Sequence, residues 1–98
     1  MGCKVIISPQ AIDDLSSIVR YIAKDNPKAA VRVGYALIDR AAILEKFPLI
    51  GSLYRKRPGV RKLVLRPYVI FYRADPEQGR VDILRYWHPA QGEPHFVG

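Results

Sequence analysis

Six basic side chains, Arg55, Lys56, Arg57, Arg61, Lys62 and Arg66, fall within twelve residues that contain no acid. Guanidinium and ammonium groups at that density point to a polyanionic partner, either nucleic acid or an acidic protein segment. A solvated basic face is the ordinary alternative, and charge alone does not separate RNA, DNA and protein. Arg73 and Arg85 either form a basic pocket or pair with Asp82 and Glu77, and a local salt bridge is the more ordinary outcome. His88 can serve as a general acid or base, because imidazole titrates near neutrality. Its plainer reading is a strand-end histidine bonded to a neighbouring backbone group. Tyr86 and Trp87 are aromatic contact candidates. On strand alternation only one of them can face the interior, which leaves the other available to a partner. Cys3 has only Lys4 beside it and no helix N-terminus to activate its thiol, so no chemistry is assigned to it.

The chain has 98 residues, 49% hydrophobic and 26% charged, which is a globular composition. Residues 1–98 are read as one domain with an irregular tail from about residue 89. At this size folding buries roughly 60–65% of the unfolded surface, enough for a thin core. Sixteen Lys+Arg against nine Asp+Glu give a net charge of +7 and a pI near 9.9. The excess is uneven. Residues 1–47 hold seven basic and five acidic residues, net +2, and residues 48–98 hold nine and four, net +5. No apolar run is long enough for a transmembrane helix, and the N-terminus lacks the pattern of a signal peptide, so the cytoplasm is expected. Cys3 cannot form an internal disulfide. With His88 and His95 it makes too small a set for a typical structural zinc site, so neither metal nor cofactor is expected.

The elements that must position these residues follow from periodicity. Lys4-Val5-Ile6-Ile7 reads as a short strand, ended by Ser8-Pro9. Ser8 is a good helix N-cap and Pro9 suits the first helical position. Ile12, Leu15, Val19 and Ile22 then form an apolar stripe, with Asp13 and Asp14 near the positive end of the helix dipole. Asn26-Pro27 repeats the start signal. The second helix runs to about Lys46, with Ala30, Gly34, Leu37, Ala41 and Leu44 inward. Val31, Tyr35 and Ile38 lie beside them, so this helix is expected to be the more buried one. A short break makes the two helices an antiparallel hairpin. Residues 48–59 read as a loop, Val60–Arg66, Tyr68–Arg73 and Arg80–Trp87 as strands. The order is β-α-α-β-β-β. The fold class is α+β: a mostly antiparallel sheet with the helical hairpin on one face, and the other face left for solvent or a partner. The basic residues belong on that open face or at its rim.

Four segments in this order resemble the RelE/ParE superfamily of bacterial type II toxins, over Val5 to about Ala90. They are Ile7-Ser8-Pro9-Gln10-Ala11-Ile12-Asp13-Asp14-Leu15 with Ile18-Val19-Arg20-Tyr21-Ile22; Phe47-Pro48-Leu49-Ile50-Gly51, similar to the family's Pro-x-x-Gly; Val60-Arg61-Lys62-Leu63 with Tyr68-Val69-Ile70-Phe71-Tyr72-Arg73; and Val81-Asp82-Ile83-Leu84-Arg85-Tyr86-Trp87-His88. No single piece is specific; the four together at these spacings are. The resemblance implies a toxin, in a toxin–antitoxin hetero-oligomer, neutralised by a cognate antitoxin whose acidic segment wraps it.

The superfamily divides by target. RelE-like members cleave mRNA on the ribosome, which needs a general base, a general acid and cationic clamps on the phosphate. That branch would draw on Arg61, Arg66, Arg73, Arg85, Tyr72, His88 and His95, chiefly Arg61, Arg66, Arg85 and His88. ParE-like members poison DNA gyrase through a protein contact and need no catalytic residue. Tyr68 is followed by Val69 where RelE-like members carry arginine, and Pro89-Ala90-Gln91 stands where they carry another. Tyr68–Arg73 and Ile83-Leu84-Arg85 with His88 are closer to the ParE-like branch, in a plasmid-stabilisation role. That reading leaves no catalytic residue and makes Arg55, Lys56, Arg57, Arg61, Lys62, Arg66, Arg73 and Arg85 a surface for the target or antitoxin. A basic nucleic-acid-binding module without toxicity is the third reading.

Overall fold

A computed structural model describes residues 2–96. Strand β1 (Lys4–Ile7) leads into helices α1 (Pro9–Ala23) and α2 (Pro27–Ala42), and α2 runs on into a 3-10 turn, Ile43–Glu45. Strands β2 (Ser52–Leu53), β3 (Arg61–Leu65), β4 (Tyr68–Asp75) and β5 (Arg80–Trp87) follow, and a 3-10 turn, Pro89–Gln91, opens the C-terminal segment. The sheet order is β1-β5-β4-β3-β2. β3, β4 and β5 form the expected antiparallel meander, and β1 joins β5 in parallel. Residues 48–59 are not loop throughout: Ser52–Leu53 pairs with Arg61–Lys62 as a two-residue edge strand.

Both helix starts obey local chemistry. The Ser8 Oγ accepts the Ala11 N–H at 3.1 Å and the Asn26 Oδ1 accepts the Ala29 N–H at 3.0 Å. Pro9 and Pro27 each occupy the first turn, where the missing donor costs nothing. No acid lies in the first turn of α1, so Asp13 and Asp14 sit past the reach of the helix dipole. The hairpin closes tightly at Gly34, where a Cβ would stand 3.1 Å from Val19 Cγ2.

The core lies between the hairpin and one sheet face. Ala11, Leu37, Ala41 and Leu44 pack on Leu63, Ile70, Tyr72, Val81, Ile83 and Tyr86. Burying Leu37 and Leu44 contributes about 2 kcal/mol each. α2 is the more buried helix, with four buried residues against one in α1, but its apolar band is narrower than expected. Val31, Tyr35 and Ile38 lie in water, because Gly34 and Leu37 already fill the line of contact.

The second sheet face is not open, which corrects the sequence reading. Val60, Phe71 and Trp87 form a second buried cluster on it, covered by Tyr54, Val69, Leu84 and Phe96. The rings of Tyr54, Phe71 and Phe96 meet edge-to-face with centroids 4.9, 6.1 and 5.5 Å apart. The C-terminal segment is thus a strap across this face.

Candidate functional site

The sequence-nominated cations divide by what holds them. Arg61 shares the helix-side face with Tyr72, opposite it in register. Its guanidinium donates to the Gly51 carbonyl at 2.8 Å and the Leu49 carbonyl at 3.3 Å. The Gly51 N–H donates to the Tyr72 hydroxyl at 2.9 Å. Arg61 and Tyr72 together pin the Pro48-x-x-Gly51 turn to the sheet. Glycine is required there, since a Cβ would lie 2.6 Å from both the Lys62 carbonyl and the Tyr72 hydroxyl. Burial pushes the Tyr72 phenol up, while the Gly51 bond and the Arg61 charge pull it partly back.

Arg85 is not a surface cation. It is 9% exposed, and its Nε and Nη2 donate to the two carboxylate oxygens of Asp14 at 2.7 and 2.8 Å. Nη1 donates to the His95 carbonyl at 2.7 Å, and the guanidinium lies 4.6 Å from the Trp87 ring centroid. The partner is Asp14 on α1, not Asp82 or Glu77; Asp82 pairs with Arg80 at 3.0 Å. Asp14 also accepts the Tyr86 N–H at 3.2 Å, and the Ser8 hydroxyl donates to the Leu84 carbonyl at 3.2 Å. These two side chains close the β5 edge beyond the point where β1 leaves it.

Tyr86 and Trp87 do alternate, Tyr86 into the main core and Trp87 into the second cluster, but neither is open to a partner. Trp87 is 8% exposed under the strap, and its indole N–H donates to the Gly92 carbonyl at 2.8 Å. Tyr86 is fully buried, and its hydroxyl has no hydrogen-bond partner among the described residues. Burial alone pushes its pKa up to about 12.

The remaining cations lie on the strap side and at the β2 end, apart from Arg66 in the turn between β3 and β4. Lys56 pairs with Glu93, which raises the lysine pKa through that bond and charge. Arg57 covers the Phe96 ring at 5.6 Å. Lys62 and Arg73 are half-buried on the second face, opposite Phe71 and Asp82. Arg55 and Arg66 are exposed. Four exposed apolar residues beside β2, Phe47, Leu49, Ile50 and Leu53, add contact surface that the sequence reading did not single out. The loop composition of residues 48–59 hid them.

His88 caps the last turn. Its Nδ1 accepts the Ala90 N–H at 3.0 Å and its backbone N–H donates to the Gln91 Oε1 at 3.2 Å. It packs edge-to-face on Tyr68 with centroids 5.5 Å apart. His95 is exposed on the strap. Among the described residues, the sequence-nominated acid–base groups and cations do not converge on one point. No group of three metal-ligating side chains occurs among the described residues.

The profile of the ParE toxin family, the toxin of the type II toxin-antitoxin system parDE, matches residues 5–92. The chain belongs to the ParE toxin family. This ParE-family chain is 35% identical over 94 residues to "Putative toxin Y4kP" of Sinorhizobium fredii, covering 90% of each. Its fold matches the chromosomal ParDE system of P. aeruginosa with a TM-score of 0.77 at 21% identity, over 88% of this chain and 95% of that one. It also matches the toxin-antitoxin complex RelBE2 of Mycobacterium tuberculosis with a TM-score of 0.68 at 28% identity, over 90% and 99%. It is a type II toxin of the ParE/RelE kind. No helix among the described residues is long and apolar enough to cross a membrane.

Proposed function

We infer that this chain arrests growth by binding DNA gyrase, without catalysing a reaction, and that a cognate antitoxin neutralises it in the cytoplasm. One observation carries this reading: three of the four residues that phosphodiester cleavage would chiefly draw on are already committed to holding the fold, and the fourth, Arg66, stands exposed with no acid or base beside it on the same strand turn. Arg61 fastens the Gly51 turn, Arg85 is held through all three of its nitrogens by Asp14 and His95, and His88 caps a 3-10 turn through Nδ1. General acid–base catalysis needs such groups within hydrogen-bond reach of one substrate and free to exchange protons. A contact poison needs only exposed surface, and the basic residues with the apolar group at 47–53 supply it.

The likeness to RelBE2 at 28% identity keeps mRNA cleavage as the reading to be tested against. Translating ribosomes programmed with a reporter mRNA are incubated with the purified chain, and the message is mapped by primer extension. Full-length message is expected. Cleavage within codons, lost in His88→Ala, would replace the gyrase reading.

A further inference from the structure

The outer face of α2 carries a second apolar line, apart from the one that packs on the sheet. Val31, Tyr35 and Ile38 are 56, 65 and 41% exposed, and Ala42 is exposed after them. Successive members are four, three and four residues apart, the alternation that keeps side chains on one seam between paired helices. Apolar residues scattered singly over a surface need no partner. Four along one helical seam form a contact face.

The charges beside the seam indicate what covers it. Arg32 and Asp39 are exposed and follow Val31 and Ile38 by one residue, so both lie on the same flank. Lys28 continues the seam at its start and Glu45, in the 3-10 turn, at its end, and both are exposed. None of these four side chains has an ion pair among the described residues. Arg40, another cation of this helix, is turned to the sheet, where its Nε donates to the Val64 carbonyl at 3.3 Å. The opposite flank, Gly34 and Ala41, is buried within the molecule.

A second copy of α2, set antiparallel about a two-fold axis between Ala36 and Leu37, matches this pattern along its length. Tyr35 meets the partner's Ile38, and Val31 the partner's Ala42. Arg32 faces the partner's Asp39 across the exposed flank, and Lys28 lies opposite the partner's Glu45 at the ends. Each contact occurs twice by symmetry. A parallel pair would stack Lys28 on Lys28 and bring neither Arg32 nor Asp39 to an opposite charge. The local match matters because two chains of +7 repel at long range.

We propose that a second copy of this chain docks on the outer face of α2, giving a symmetric antiparallel dimer. This holds whatever the toxin's target. The seam from Lys28 to Glu45 is ~25 Å long at about 1.5 Å per residue. One seam of that length is smaller than a standard stable interface, so half-dimerisation falls at ~10–100 μM. Sedimentation equilibrium of the purified chain, run across that range and ~tenfold to either side, should show a monomer–dimer equilibrium. Tyr35→Asp, at an exposed position, should raise the dissociation constant at least ~thirtyfold. Arg32→Asp and Asp39→Arg should each raise it at least ~fivefold, because each turns two attractions into two repulsions. Mixed in equal amounts, these two variants should recover a dimer as tight as wild type, since every arginine then faces an aspartate. The mixture reads the interface even where Tyr35→Asp loses stability.

A chain that stays monomeric at the highest concentration would overturn the proposal. So would a dimer that a folded Tyr35→Asp leaves intact, or charge variants that fail to pair on mixing. A wild-type monomer whose binding to vesicles of phosphatidylglycerol, or to the protein of the adjoining reading frame, is abolished by Tyr35→Asp would give the seam to a membrane or to that protein instead.

Discussion

Removing the Asp14 carboxylate should loosen the whole molecule, because one side chain ties α1 to β5 three ways. Two charge-assisted bonds run from Arg85 at 2.7 and 2.8 Å, and the Tyr86 N–H adds a third at 3.2 Å. The side chains of Arg85 and Asp14 are 11% and 14% exposed, so water does little to replace the lost bonds. Breaking a buried pair from one side costs about 3–5 kcal/mol. Arg85 keeps the His95 carbonyl and the Trp87 ring, which lowers the expected cost of Asp14→Ala to about 3 kcal/mol. For a domain of this size that is a fall in Tm of roughly 12–20 °C. Asp14→Asn keeps an acceptor for Tyr86 and should cost about 2 kcal/mol. The assay is urea unfolding of Asp14→Ala, Arg85→Leu and the double variant, closed as a cycle. A coupling energy above about 1.5 kcal/mol is expected. A loss below about 1 kcal/mol for Asp14→Ala, or additive single variants, would refute the reasoning.

Other parts of the structure give equally direct expectations. Gly51→Ala should destabilise by about 2 kcal/mol, since its Cβ meets a carbonyl and the Tyr72 hydroxyl at 2.6 Å; an unchanged urea midpoint would show that the turn yields freely. The Tyr86 phenol titrates near 10 when unfolded and at about 12 when folded, so burial favours the neutral form. Its contribution is fully present below pH ~10 and is lost as pH rises toward ~12, by up to about 2 kcal/mol. Tyr86→Phe should erase that part of the alkaline loss and be as stable as wild type near neutrality, since the hydroxyl is unpaired; equal alkaline slopes would contradict this. With +7 on the chain, antitoxin association should slow at least ~tenfold between ~0.05 and ~0.5 M salt; a salt-independent rate measured by stopped flow would mean that apolar anchoring dominates.

Local chemistry was legible in the sequence where it acts within a few residues. Ser8, Asn26 and the two prolines marked both helix starts, and period-two runs marked β3, β4 and β5. The ordinary reading of His88 also held, because the bond it makes is to a residue two positions on. Contacts across the chain were not legible. Asp14 and Arg85 are 71 residues apart, and nothing in either neighbourhood nominates the other. Tyr54 and Phe96 stand in segments that read as irregular, so the closing of the second sheet face was invisible, and with it the burial of Trp87. Val31, Tyr35 and Ile38 are apolar by type, but their exposure depends on how closely Gly34 lets Val19 approach. The family was legible because its signal is the order and spacing of several short segments, which the match over residues 5–92 spans.

The gyrase reading stands or falls on one titration. Purified DNA gyrase converts relaxed plasmid to the supercoiled form while the chain is added in increasing amounts, and the products are separated by electrophoresis. The expected result is a dose-dependent loss of supercoiling that addition of the antitoxin reverses. Full supercoiling activity at a large molar excess of a chain that still arrests growth would contradict it.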